Sequence, residues 1–264
     1  MGVTSYPNIG SPDSDIEYVR GRVSGYEVVQ IFGRNEAVGT SFEPVAIGGI
    51  YRTPQPASAT QVRIKAGNAN DTAAGSGARS VRIEGINASG ALVSETLTTA
   101  GASASSNSTN SYIRLLSASV ETSGTYASAS AGSHAAAVVI ENSAGTEDWL
   151  TIPNGNFALS QSEIGVYTVP TGKTAYVRGI VISTESNKSA TIALFQRENI
   201  LQASAPYSAM KVVNQYAGFS GSFQVPLKSP LGPFPENTDV GFMAKVASTA
   251  AIVSVNCELL LIDN

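Results

Sequence analysis

The stretches Gln61-Val62-Arg63-Ile64-Lys65 and Ser80-Val81-Arg82-Ile83-Glu84 alternate apolar side chains with charged or polar ones. Because successive side chains of a β-strand point to opposite faces, this period of two indicates half-buried strands. Similar segments recur along the chain, separated by short runs rich in glycine, proline, asparagine and serine. The further strand candidates are residues 92–98, 112–120, 137–141, 149–152, 165–169, 175–183, 191–196, 221–226, 240–246 and 251–262. No apolar stripe of helical period extends beyond two turns, so the sequence predicts an all-β fold of sandwich or jelly-roll type.

Differences in amino-acid composition divide the chain into three regions. Residues 1–45 contain a charge cluster together with aromatic and aliphatic side chains that have no core of their own. We expect an extended N-terminal arm there, and the alternative is that this segment packs along the chain's own sandwich. Residues 46–158, rich in alanine, serine and threonine, predict a first β-sandwich, and residues 159–264 predict a second, jelly-roll-like one. One larger sandwich with embellishments is the other division that fits.

Composition excludes several classes of partner. Charged residues make up 14% of the chain, against about 25% in an average globular protein. The net charge of -4 and the pI near 5.1 argue against nucleic acid as the main partner. The sequence has neither a signal-peptide pattern at its start nor an apolar run near the roughly 20 residues that cross a bilayer. We therefore expect a soluble protein made in a cytoplasm, with no membrane partner.

The residue types that usually carry chemistry are scarce. Cys257 is the single cysteine and lies on the apolar face of the last predicted strand, where a thiol acts as a small hydrophobic residue. His134 is the single histidine, and no nucleophile elbow accompanies it, so we expect a surface or loop residue. Gly172-Lys173-Thr174 imitates the end of a phosphate loop, but a strand pattern follows it instead of a helix. The sequence therefore predicts no catalytic residue, no metal ligand and no cofactor.

Carboxylates leave one enzymatic alternative, because glycoside cleavage needs only two of them about 5 to 10 Å apart. Glu147 and Asp148 stand beside Trp149, whose ring could stack on a sugar. A single tryptophan is sparse for a sugar-processing groove, so a carbohydrate-active enzyme is the most remote reading and we expect no enzymatic activity. The stretch Asn68–Asp71 offers oxygen atoms to a calcium ion, but it lacks the EF-hand spacing.

Three stretches carry a recognisable pattern. Val29–Glu36 contains the segment Phe-Gly-Arg-Asn and is followed by Gly48–Pro54, which begins Gly-Gly-Ile-Tyr. Asn70–Ile86 reads Asp-Thr-Ala-Ala-Gly-Ser-Gly-Ala-Arg and then an alternating strand, and Val169–Tyr176 has a turn pattern. The first two stretches resemble a group of tailed-bacteriophage virion structural proteins, and the third is similar to a hairpin of phage β-sandwich modules. The resemblance implies no catalytic residues, and it implies partners among the other subunits of a capsid or tail.

The leading functional hypothesis is a capsid decoration (cement) protein in the virion. Such a protein would form a homotrimer that binds the major capsid protein or a neighbouring trimer, and closed symmetry would cover its open sheet edges. The candidate subunit-interface anchors are the apolar side chains of the arm, Tyr6, Ile9, Tyr18 and Phe32.

The alternative hypothesis within the virion is a collar, tail or fibre component. In that case the second sandwich would bind a host-surface glycan through loops around residues 204–216 and 228–237. These loops would form a glycan-binding tip, and its aromatic side chains would be Tyr207, Tyr216 and Phe234.

Overall fold

The structure is a computed structural model that describes residues 14–49, 51, 58–125, 132–154 and 159–264. In this part of the chain, sixteen strands accompany one short helix, α1 (Ser14–Val19), and one 3-10 turn, Ile47–Gly49. The first eight strands are β1 (Tyr26–Val38), β2 (Glu43–Pro44), β3 (Val62–Ala66), β4 (Ala78–Ile86), β5 (Leu92–Thr98), β6 (Arg114–Ser123), β7 (Val138–Asn142) and β8 (Asp148–Ile152). The others are β9 (Val166–Thr168), β10 (Lys173–Thr184), β11 (Ala190–Arg197), β12 (Lys211–Phe219), β13 (Ser222–Gln224), β14 (Leu231–Phe234), β15 (Asp239–Val246) and β16 (Ala251–Asp263). The prediction of an all-β fold is confirmed.

Two five-stranded antiparallel sheets form the C-terminal sandwich. Sheet A has the order β1-β16-β10, and both β13 and β14 pair with β10; sheet B has the order β12-β11-β15, and both β2 and β9 pair with β15. The apolar faces of the two sheets enclose one core, in which β16 contributes every second residue from Ala251 to Leu261. This strict alternation in β16 fixes the side of sheet A that faces the core.

Two three-stranded sheets form the N-terminal sandwich. Sheet C has the order β3-β7-β8 and sheet D the order β5-β4-β6. Their core is a separate cluster that includes Ile64, Val81, Ile140 and Trp149. The alternating stretches around Val62 and Val81 thus face each other across this core, as their period of two requires.

Three segments differ from the sequence prediction. β1 pairs with β16 from Tyr26 to Val38, so this part of the expected arm packs along its own sandwich, which was the alternative. Residues 211–219 and 231–234 form strands where loops were expected. Residues 169–173 connect β9 of sheet B to β10 of sheet A and make no hairpin, because the two strands pair with β15 and β16 respectively. The division of the chain at residues 45 and 158 stays a prediction.

A buried ion pair between β6 and β15 lies where the two sandwiches meet, and Ile86, Ile113 and Leu116 of the N-terminal sandwich pack into the C-terminal core. The Arg114 and Asp239 side chains are both 0% exposed, and Arg114 Nη2 donates to Asp239 Oδ2 at 2.8 Å. Arg114 Nε donates to the same oxygen at 3.1 Å and lies 3.2 Å from the Tyr51 hydroxyl. Thr168 donates its hydroxyl to Asp239 Oδ1 at 2.7 Å, and Arg114 Nη1 donates to the carbonyl of Ile113. Each of these buried polar groups therefore has a partner that offsets the free-energy cost of its removal from water.

Burial and charge act against each other on the pKa of Arg114. Removal from water is the largest effect and lowers this pKa, but the charges and hydrogen bonds of Asp239 and Tyr51 together raise it by more, so the guanidinium stays protonated. Burial, followed by the charge of Asp239, raises the pKa of Tyr51, so its hydroxyl stays neutral. Asp239 therefore lies beside the charged guanidinium of Arg114, and the buried Arg197, which pairs with Asp239 in the register of β11 and β15, adds a second cation to this region.

We predict that Arg114→Met lowers the free energy of unfolding by about 3–5 kcal/mol, because it leaves Asp239 buried without its cation. The double variant Arg114→Met with Asp239→Leu should recover most of this loss, since no charge is then left unpaired. Denaturant unfolding followed by tryptophan fluorescence measures both. The control Arg82→Met, at an exposed position of the neighbouring strand β4, should change stability by no more than about 0.5 kcal/mol. An Arg114→Met loss as small as that of Arg82→Met would contradict the role of the ion pair.

Candidate functional site

The two candidate subunit-interface anchors that the structure describes, Tyr18 and Phe32, lie on the outer side of sheet A. Tyr18 of α1 stacks on Tyr26 of β1, with ring centroids 5.1 Å apart and an interplanar angle of 16°. Phe32 is half-buried and lies an even number of residues from Tyr26 in the same strand, so both face outward. Tyr6 and Ile9 lie outside the described residues.

The outer face of sheet A is apolar where Tyr18 approaches it. Val28, Leu260 and Tyr176 form a cross-strand row over β1, β16 and β10, and all three are half-buried. The exposed faces of antiparallel sheets are usually polar, so an apolar row on this face is unusual. We name this area the outer patch; it comprises Tyr18, Tyr26, Val28, Tyr176, Leu260 and Ile262.

Charged groups border the outer patch. Lys173 Nζ lies 3.2 Å from Glu27 and 3.0 Å from Asp263 at the end of the sheet. Partial burial lowers the pKa of Lys173, but the hydrogen bonds and charges of Asp263 and Glu27 together raise it by more. On the other side, Gln30 donates to Glu258 at 2.8 Å. An apolar centre with a polar rim is the usual anatomy of a protein–protein interface.

Exposed apolar side chains are distributed unequally between the two sandwiches. Among the described residues, nine large apolar side chains are exposed, and only Leu92 belongs to the N-terminal sandwich. The other eight lie on α1, on the strands of the C-terminal sandwich or just beside them. They are Ile16, Val19, Phe42, Met210, Val212, Val213, Phe223 and Ile252. Exposed apolar surface therefore concentrates on α1 and the C-terminal sandwich.

Gly33 fixes β1 to the body of the sandwich. A Cβ at this position would overlap backbone atoms of both Val45 and Gly165, so only glycine allows these segments of the backbone to cross here. The next residue, Arg34, donates through Nε to the buried Glu163 at 2.6 Å. The Phe-Gly-Arg-Asn stretch thus anchors this strand to its own chain.

The stretch that begins at Asn70 is organised by the buried carboxylate of Asp71. Its Oδ1 accepts hydrogen bonds from the amides of Ala78 at 2.8 Å and Ala135 at 2.9 Å, and its Oδ2 accepts one from Ala136. A Cβ at Gly77 would overlap this carboxylate, so the glycine in the pattern has a steric reason. Because amide donors surround Asp71, the arrangement favours loop structure over a calcium site.

His134 and Cys257 are both buried. The prediction of a loop position for His134 is correct, but its side chain is only 5% exposed, because its ring nitrogens bond to Ser133 Oγ at 2.9 Å and to the Pro153 carbonyl at 2.8 Å. Ser133 is 2% exposed, and its hydroxyl is bonded to the histidine ring. Cys257 faces the core as predicted, and burial raises its pKa.

The aromatic residues considered for sugar binding mostly face the cores. Trp149 is 2% exposed, and its Nε1 donates to Glu147 at 3.0 Å. Phe234 is 1% exposed, and Tyr216 packs against the same core. Tyr207 alone of the three tip aromatics lies outside that core. In the described part of the chain, no group of three or more His, Cys, Asp or Glu side chains could hold a metal ion.

Comparison with known proteins gives little similarity. No family model and no curated protein matches the chain. The similar solved structures include that of infectious bursal disease virus Gt strain, with 8% identity over 91% of this chain and 73% of that chain, at a TM-score of 0.25. The structure of the Gx strain has 9% identity over 90% and 71% of the two chains, also at a TM-score of 0.25. Similarity at this level carries no assignment of fold or function. No helix in the described residues is long and apolar enough to span a membrane.

We predict that Gly33→Ala lowers the free energy of unfolding by about 1–3 kcal/mol, because the added methyl group forces the crossing backbones apart. Thermal unfolding of the purified protein measures this loss. The control is Gly179→Ala in β10, where a Cβ would meet nothing nearer than Glu258 Cβ at 3.9 Å, and it should cost less than about 0.5 kcal/mol. Equal effects of the two changes would contradict the tight crossing at Gly33.

Proposed function

We propose that this chain is a non-enzymatic structural subunit of a tailed-bacteriophage particle, and specifically a capsid decoration protein. In this proposal it is made in the host cytoplasm, assembles as a homotrimer and binds the major capsid protein on the outer surface of the head. The resemblance of residues 29–54 and 70–96 to virion structural proteins supports the class of protein. The concentration of exposed apolar side chains on α1 and the C-terminal sandwich supports the role in assembly.

The mechanism in this proposal is mechanical. A surface poor in charge desolvates few ions when it associates, so apolar contact contributes most of the binding free energy. The outer patch would pack against a neighbouring subunit, and Ile16 and Val19, which are 48% and 70% exposed on α1, would extend that contact. Each bound trimer adds contacts between capsid subunits and thereby opposes the pressure of packaged DNA.

The structure indicates how the N-terminal segment should be tested. A deletion that reaches Asn35 would remove most of β1 and its pairing with β16, so loss of binding could then reflect loss of fold. Glu17 is buried and bonds to Arg20 and Arg22, so α1 should also be kept. A deletion of residues 1–13 ends before α1 and leaves every described element in place.

We predict that the protein without residues 1–13 folds but binds heads that lack this chain at least about tenfold more weakly than the full chain, because the anchors Tyr6 and Ile9 are gone. Ile16→Ser with Val19→Ser should weaken binding in the same assay. Co-sedimentation with purified heads measures binding, and circular dichroism checks the fold.

The matched control is Leu92→Ser, which removes an exposed apolar side chain from the N-terminal sandwich and should bind normally. Normal binding by the protein that lacks residues 1–13 would refute the anchoring role of this segment. Failure of the full chain to bind heads would refute the decoration function itself.

A further inference from the structure

One lateral edge of the C-terminal sandwich consists of β12 and β13. In the described part of the chain, β12 pairs only with β11 and therefore ends sheet B, while β13 lies at the edge of sheet A beyond β10. Only Ser220 and Gly221 separate the two strands, so both edges lie on the same side of the sandwich. One side of β12 consequently presents backbone N–H and C=O groups with the spacing that a further strand would match.

This edge carries a strip of exposed apolar side chains. Val212 is 62% exposed, Val213 37%, Met210 38% and Phe223 45%. A β-bulge produces part of the strip: Leu194 pairs with Asn214 and Phe195 with Val212, which leaves Val213 between them without a partner in β11. Two consecutive valines are therefore exposed where regular alternation would turn one of them inward.

The strip is also free of charge. No Asp, Glu, Lys or Arg occurs from Val212 to Leu227. The only charged side chain of β12, Lys211, stands at the first residue of the strand and lies 3.3 Å from Glu198 of its own chain. A partner that covers the strip thus removes no unpaired charge from water, and it needs no charge of its own.

We propose that a second copy of this chain covers the strip, with the two β12 strands paired antiparallel about a twofold axis near Val213. A strand that covers the strip has to match its backbone spacing and needs no charged side chains. The β12 strand of a second copy meets both conditions. The antiparallel arrangement places Val212 and Val213 of both copies together at the centre and the two Lys211 side chains at opposite ends. The pairing joins the two B sheets into one ten-stranded sheet.

The features of β12 that limit edge pairing are consistent with a contact that joins only two copies of the chain. The bulge at Val213 lies at the proposed axis, and the terminal Lys211 and a second bulge at Gly218 limit the ladder to the few residues on either side of it. A twofold contact uses the same edge of both copies, so it closes at two and does not propagate. This inference does not depend on the proposed function; on a phage head, the contact would link neighbouring trimers.

The first test is sedimentation velocity of the full chain over a range of concentrations. We expect the smallest species to associate reversibly into a species of twice its mass. Val212→Asp should weaken this association at least about tenfold, because two carboxylates would meet at the axis. The control Leu92→Asp places the same charge at an exposed position of β5 and should leave the step unchanged. A wild-type chain that never doubles, or a doubling that Val212→Asp leaves intact, would overturn the proposal.

A second variant gives a result that does not depend on affinity. Val213→Cys places a thiol near the axis, whereas Cys257, the only native cysteine, is buried. Mild oxidation should convert this variant to a disulfide-linked dimer, and Leu92→Cys should stay uncrosslinked under the same conditions. Equal crosslinking of the two variants would contradict a specific contact at β12. Head binding that persists without doubling would refute this contact and leave the decoration function standing.

Discussion

The buried pair between Arg114 and Asp239 lies where the two sandwiches meet, together with Ile86, Ile113 and Leu116 of the N-terminal sandwich, which pack into the C-terminal core. Removing both charges from water costs several kcal/mol for each ion, and the cost is offset only where the geometry is good and the remaining donors and acceptors are bonded. Tyr51, Thr168 and the Ile113 carbonyl complete that set. Because the pair forms only at one relative placement of β6 and β15, it fixes the orientation of the N-terminal sandwich together with the apolar packing of Ile86, Ile113 and Leu116 into the C-terminal core. Every surface on the C-terminal sandwich is thereby held in a fixed relation to it.

The two sandwiches differ in how they meet their surroundings. The N-terminal one exposes a single large apolar side chain among its described residues, and a core around Trp149 fills its interior. The C-terminal one carries the outer patch on sheet A and the uncharged strip on β12, on different sides of the same core. Two separate contact surfaces on one rigid body are what a subunit needs in order to bind more than one neighbour. We therefore assign assembly to the C-terminal sandwich in the proposed function, and its low charge favours tight apolar contact.

Strands with a regular period of two could be predicted from the sequence, and strands that violate it could not. Ser80–Glu84 alternates polar and apolar side chains in the sequence and lies within β4 of the structure. β12 was expected to be a loop, because the bulges at Val213 and Gly218 break the alternation along an exposed edge. In β1, Val28 and Val29 are both half-buried, one on each face, so the segment has no single apolar side to identify it as a strand.

The junction was not predictable from local pattern at all. Arg114 and Asp239 lie 125 residues apart, and each occurs singly beside a strand whose charged residues would normally face solvent. Of the predicted anchors, Tyr18 and Phe32 do share the outer side of sheet A, since both belong to the segment whose apolar residues lacked a local core. The position of the patch on the finished sheet follows from the pairing of β1 with β16, which no spacing in the sequence specifies. Local sequence patterns therefore do not reveal which strands pair when those strands are far apart in the sequence.

The most direct test of the central claim is the copy number of this chain in purified phage particles, measured by quantitative mass spectrometry against the major capsid protein. A homotrimer at each local threefold position predicts about one copy for each copy of the major capsid protein. A few copies per particle, or none, would contradict a decoration protein that covers the head.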